Sequence, residues 1–174
     1  FAFSGKNKTV DYLIVALNMS GNYYSMYTQT KELLYIDKTI QLLEEIQSSM
    51  LAQAFPIPFA MMLNHLGRSY YLKASPLDEK KDQSYNYLTR AIEYLEQAVI
   101  VNSNQDSSNF SSSKLWLAKA FYQLSQLENK KKNLQYALDA VLASIVFLSK
   151  SPATKTPYEA ALSLKETLEQ ALTQ

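Results

Sequence analysis

A helical pattern that recurs three times at close to fifty residues constrains this chain more than any other feature. The segments YIDKTIQLLEEIQ from Tyr35, YLTRAIEYLEQAV from Tyr87 and NLQYALDAVLASI from Asn133 align without gaps. In the first, Ile36, Thr39, Ile40, Leu43 and Ile46 hold the apolar or small places. In the second, Leu88, Ala91, Ile92, Leu95, Ala98 and Val99 hold them, and in the third Leu134, Ala137, Leu138, Val141, Ser144 and Ile145. Steps of three, one and three put such side chains on one stripe of an α-helix. A second pattern lies between these segments. Val15-Ala16 with Met19, Leu66-Gly67 with Tyr70, and Leu117-Ala118 with Phe121 repeat at intervals of fifty-one residues. The unit is therefore a helical hairpin, and stacked hairpins bury a face that neither helix buries alone.

Composition agrees with long helices. The chain has 174 residues of which 47% are hydrophobic, enough for a core and too many for a disordered tail. Three glycines and five prolines leave few turns, against a many-stranded fold. With 17 basic and 16 acidic residues there is no electrostatic case for nucleic acid. No apolar run approaches the ~20 residues that span a bilayer, so no membrane insertion is expected. Cysteine is absent, which excludes thiolate catalysis and cysteine-ligated zinc. The compartment stays open, with the cytoplasm as the nominal expectation, and the oligomeric state is not legible. The first residue is Phe1, so the sequence is expected to be part of a longer protein.

Punctuation places the elements. Helices are expected over 9–27, 31–50, 59–74, 84–101, 112–127, 133–149 and 157–172. Ala54–Pro58 reads as a connection, because proline blocks helix continuation. Asn102–Ser113 is almost entirely polar and reads as the longest loop, with Ser113 as an N-cap. Lys130–Lys132 reads as a solvated loop between helices. Pro157 suits a first helical turn. The expected stripe of the first helix is Tyr12, Val15, Ala16 and Met19.

Leu63, Leu66, Gly67 and Tyr70, followed by Ala91, Leu95, Ala98 and Val99, carry a resemblance. A small residue in each helix lets the backbones approach, and larger neighbours fill the grooves. In this the chain resembles the tetratricopeptide superfamily of helical repeats. Leu117, Ala118 and Phe121 with Ala137, Val141, Ser144 and Ile145 form a second copy. Val15, Ala16 and Met19 with Thr39, Leu43 and Ile46 form a weaker third. The family's unit is nearer ~34 residues, and this one is longer. The resemblance implies an all-α, right-handed stack of three antiparallel helical hairpins (9–50, 59–101 and 112–150) with a C-terminal capping helix at 157–172, one domain over 1–174. It also implies a concave groove, lined by the first helix of each hairpin, that binds a protein or peptide. By spacing, that groove takes Met61, Asn64, Arg68 and Tyr71 in the second hairpin, Leu115, Lys119 and Tyr122 in the third, and Leu13 and Leu17 in the first. The lysine and asparagine clamp of the chaperone-binding members is not reproduced, but Arg68 and Lys119 favour a carboxylate-bearing partner.

The residues offer little for chemistry. His65 is the only histidine and has no neighbouring carboxylate in sequence, so a structural or groove-lining role is expected rather than a metal or a catalytic one. Glu44-Glu45 and Glu93 with Glu96 fall opposite the apolar stripe, where solvated charge is expected. No phosphate loop, nucleophile elbow or metal-spaced cluster occurs, so no catalytic residue and no cofactor is expected. Thirteen tyrosines stand out as a source of binding surface. The expectation is a scaffold module rather than an enzyme. The rivals are a ligand-sensing domain coupled to an absent output domain and an assembly factor that binds through its convex face.

Overall fold

Each apolar stripe winds into an α-helix in the computed structural model, which describes residues 10–47, 55–74, 81–103, 107–150 and 155–173. The helices are α1 (Val10–Thr30), α2 (Leu34–Gln47), α3 (Pro56–Ala74), α4 (Lys81–Asn102), α5 (Ser107–Leu124), α6 (Lys130–Leu148) and α7 (Lys155–Leu172). Among the described residues there is no strand. Each helix packs on the next in the chain. The odd-numbered helices also touch in order, α1 on α3, α3 on α5 and α5 on α7.

Several boundaries differ from the sequence expectation, each for a local reason. Pro56 and Pro58 do not precede α3; they form its first turn, where a backbone N–H has no intrahelical partner to lose. The Phe59 N–H closes that turn on the Phe55 carbonyl at 3.0 Å. Lys130–Lys132 are the exposed first turn of α6 rather than a loop, entered through Asn129 in the left-handed region at φ 44°. Gly21 does not interrupt α1, which runs on until Lys31 turns left-handed at φ 61° and closes on the Tyr27 carbonyl.

The serine-rich run is the largest correction. Residues 107–113 are helical, and Ser113 is an interior residue of α5 rather than its cap. The hydroxyls of Ser111 and Ser113 donate to the carbonyls of Ser108 and Asn109, so the polar run satisfies itself inside a helix. Both serines are buried. Ser144 of α6 donates to the Ser111 carbonyl at 2.9 Å. Small hydroxyl residues thus make a close α5–α6 contact.

The core forms two adjoining apolar clusters. One joins α1, α2 and α3 with Ala91 of α4, and the other joins α4, α5, α6 and α7 with Ala74 of α3. Tyr71 and Tyr87 pack against both. The stripes of the even helices lie where the repeat puts them: Ile36, Thr39, Ile40, Leu43 and Ile46 are buried, as are Leu88, Ala91, Leu95 and Ala98. In α1 the stripe is rotated. Leu13, Ala16, Leu17 and Ser20 are buried, whereas Val15 is 54% and Met19 40% exposed. Leu13 and Leu17, expected to line a groove, are core. Ile14, Val15, Met19 and Leu17 leave α1 apolar nearly all round, so periodicity alone does not select its buried side.

Candidate functional site

The residues expected to line a groove divide between core and surface. Asn64 is buried, and its side-chain amide donates to Ser113 Oγ at 2.7 Å, tying α3 to α5. Leu115 is buried in the second cluster. Neither presents a group to a ligand. Met61, Arg68, Tyr71, Lys119 and Tyr122 are half-buried, with one edge at the surface.

Contacts between odd helices repeat with the chain. Ser20 of α1 meets Nδ1 of His65 on α3, and fifty-one residues on Tyr71 of α3 meets Trp116 of α5, rings edge to face with centroids 5.5 Å apart. The same two positions touch at both joints, once as a polar clasp and once as an aromatic one. This register carries Arg68 and Lys119, also fifty-one residues apart, to corresponding places on neighbouring helices.

Both cations are seated on aromatic rings. The Arg68 guanidinium carbon lies 3.8 Å from the centre of the Tyr24 ring, and Lys119 Nζ lies 4.2 Å from that of Trp116. Neither has a carboxylate partner among the described residues. Arg68 Nε is buried without a hydrogen-bond partner. Burial disfavours the charged form of each and pushes both downward in pKa, with the Tyr24 phenol acting against this at Arg68. Burial pushes the Tyr71 phenol up. His65 is held down to about 4, by burial first and then by the charge of Arg68. The result is a face with two partly desolvated positive charges, without a carboxylate among the described residues, beside Tyr24, Tyr71 and Trp116.

Sequence reasoning missed Tyr24 and Trp116. Trp116 is signalled by its spacing of fifty-one from His65, and Tyr24 by its place one turn beyond Ser20. It also misplaced Glu44. This carboxylate is half-buried, accepting from the Tyr70 hydroxyl at 2.6 Å, from Tyr94 at 3.3 Å and from Arg90 at 3.3 Å. It serves as a pin among α2, α3 and α4.

A cleft of about 400 Å³ opens elsewhere, between α4, α5 and α6. Ile92 and Phe121 line it, with Glu96, Lys114, Tyr136 and Asp139 around them. Among the described residues no group of three or more histidines, aspartates or glutamates is placed to hold a metal ion. No described helix is long and apolar enough to cross a membrane. No protein-family model matches the chain, and neither a curated protein nor a solved structure matches it.

Proposed function

We propose that the chain is a binding module of tetratricopeptide-like architecture, a right-handed stack of antiparallel hairpins α1–α2, α3–α4 and α5–α6 closed by α7. The face of α3 and α5 takes an extended, acidic segment of a partner protein. The observation that carries this reading is the pair Arg68 and Lys119, equivalent in the repeat, each backed by an aromatic ring and neither paired with a carboxylate among the described residues. A partly buried cation without a counter-ion costs stability, and a ligand carboxylate offsets that cost. Packed helices lie roughly 10 Å apart. An extended chain advances roughly 3.3 Å per residue, so two acidic residues three apart match the pair. Tyr71 and Trp116, edge to face where α3 meets α5, would suit an apolar residue of the same segment.

The test is an array of extended peptides with acidic pairs at varied spacing, probed with the wild type and with Arg68→Ala/Lys119→Ala. Wild-type binding is expected to peak at a spacing of about three residues, to weaken with salt, and to fall at least about tenfold in the double variant. Equal binding by a correctly folded double variant moves the site away from this face.

A second reading, sensing of a small ligand, is favoured by the cleft between α4 and α6, where Glu96 has no partner among the described residues. A third, assembly through the opposite face, is favoured by Ile100 and Val146, which occupy aligned positions of the repeat and are 71% and 55% exposed.

A further inference from the structure

We infer that the seam between α1 and α3 is an oxyanion site with a proton-dependent second donor: Arg68 supplies the fixed charge, and Nε2 of His65 joins it when the ring is protonated. This deepens the reading above and takes its occupant from it, since the anion is one acidic group of the same ligand. The site itself stands on α1 and α3 alone.

The hydrogen bonds at Ser20 fit one tautomer of the ring. A serine hydroxyl has one proton. Ser20 is fully buried, and it donates that proton to the Leu17 carbonyl at 2.8 Å. With that proton given to Leu17, the Ser20 oxygen is left to accept, which suits a ring that carries its proton on Nδ1. A neutral ring with its proton on Nδ1 carries a bare lone pair on Nε2. One turn along, Tyr24 covers the flat face of Arg68, and Nε is buried without a partner. A ring over its face leaves a guanidinium's N–H edges to bind an oxyanion in the fork geometry that arginine favours.

The two states of His65 act oppositely on such an anion. The lone pair of Nε2 repels it, and a protonated Nε2 donates to it. Binding and protonation therefore reinforce each other by the same factor in both directions. The charges around the ring allow this. Among the described residues, Arg68 is the charged group that acts on the imidazole. Among neighbouring elements, α1 brings Ser20 and Tyr24, Glu44 of α2 and Arg90 of α4 are engaged with Tyr70, and Lys114 of α5 lies over Phe110. Bound anion offsets Arg68, which is the charge that disfavours the imidazolium. With midpoints near 4 without anion and about one unit higher with it, affinity is expected to stay level near neutrality and to rise as pH falls from about 6 to about 4.

His65 is the only histidine, so its Cε1–H proton resonance reports on the site without assignment. The test is its titration by NMR from about pH 3.5 to 8 in sodium chloride, sulfate and trifluoroacetate at equal ionic strength. Both test anions stay ionised throughout. The midpoint is expected near 4 in chloride. It is expected to move up by about one unit or more in one test anion, equivalent to about tenfold tighter binding of that anion to the protonated form. The larger effect tells a tetrahedral phosphoryl-like group (sulfate) from a planar carboxylate (trifluoroacetate). Arg68→Ala, or Arg68→Gln should the first not fold, removes the anion effect, whereas Lys119→Ala retains it. Identical midpoints in the three salts, or an anion effect undiminished without Arg68, overturn the proposal. An anion effect without any binding of acidic peptides would leave this site standing and reject the groove reading. Acidic peptides bound with an affinity that is flat in pH would do the reverse.

Discussion

Tyr70 donates its hydroxyl to Glu44 at 2.6 Å while accepting from Arg90 at 2.9 Å, so one phenol ties α2, α3 and α4 together. Its ring also stacks on Tyr94, with centroids 5.7 Å apart. Tyr70→Phe keeps the ring and loses the hydroxyl. Because the acceptor is charged, a loss of about 1.5–3 kcal/mol is expected in urea unfolding. A loss under about 0.5 kcal/mol would show that Glu44 is satisfied by Arg90 and Tyr94 alone. The pH dependence has a definite sign. Burial first, then the bond to Glu44, raise the Tyr70 phenol to about 12, so the folded state favours its neutral form. That contribution is complete below about pH 10 and is lost as pH rises toward 12. The gap between wild type and Tyr70→Phe is expected to close over that window.

Gly67 marks a close approach of α3 to α4. A Cβ there would lie 2.5 Å from Leu95 Cγ and 3.0 Å from the Ala91 carbonyl oxygen. Leu95 and Ala91 are fully buried, so neither has space to yield. Gly67→Ala is expected to destabilise despite the better helix propensity of alanine, and Ala91→Leu or Ala98→Leu to cost about 1–3 kcal/mol each by overpacking. Thermal melts measure all three, and an unchanged melt for Ala91→Leu would mean that the α3–α4 contact is looser than described.

Arg68 is expected to be a residue that stability would discard. Its replacement by Met keeps the volume on Tyr24 and removes a partly desolvated charge without a partner. Arg68→Met should therefore melt no lower than the wild type while losing the acidic ligand, the usual trade between a binding site and the fold. A drop of more than about 1 kcal/mol would show that the cation–π contact outweighs the desolvation.

The legible part of this chain was its periodicity. Ile36, Thr39, Ile40, Leu43 and Ile46 are all buried, because α2 has one apolar side and burial follows it. The part that was not legible lies where tertiary contact overrides local preference. The serine-rich run 107–113 favours a loop by propensity but is helical where Asn64 and Ser144 donate to Ser113 and Ser111. Val15 and Met19 match the spacing but face outward, because α1 offers two apolar sides. At the candidate site, spacing located Arg68 and Lys119 but not their supports. Tyr24 comes from a different helix, and a lone tryptophan at position 116 carries no pattern until its partner Tyr71 is known. Asn64 and Leu115 share the helical face of Arg68 and Lys119 in projection, yet the joint between α3 and α5 closes over them.

Serine is a weak helix former, and the opening turns of α5 contain Ser107, Ser108, Ser111, Ser112 and Ser113. That stretch winds because α3 and α6 are there to meet it, Asn64 donating to Ser113 Oγ and Ser144 to the Ser111 carbonyl. Its helicity is borrowed from its neighbours, whereas α3 and α4 hold each other through Gly67, Ala91 and Leu95. Local opening at 107–113 is therefore expected to precede opening of the rest of the stack. Hydrogen exchange should show amides of 107–113 opening well before those of α4 and α6, and uniform protection across α4–α6 would reject that order. A partner bound across α3 and α5 would hold this stretch closed, so the ligand would also act as a brace on the least self-sufficient turns of the stack.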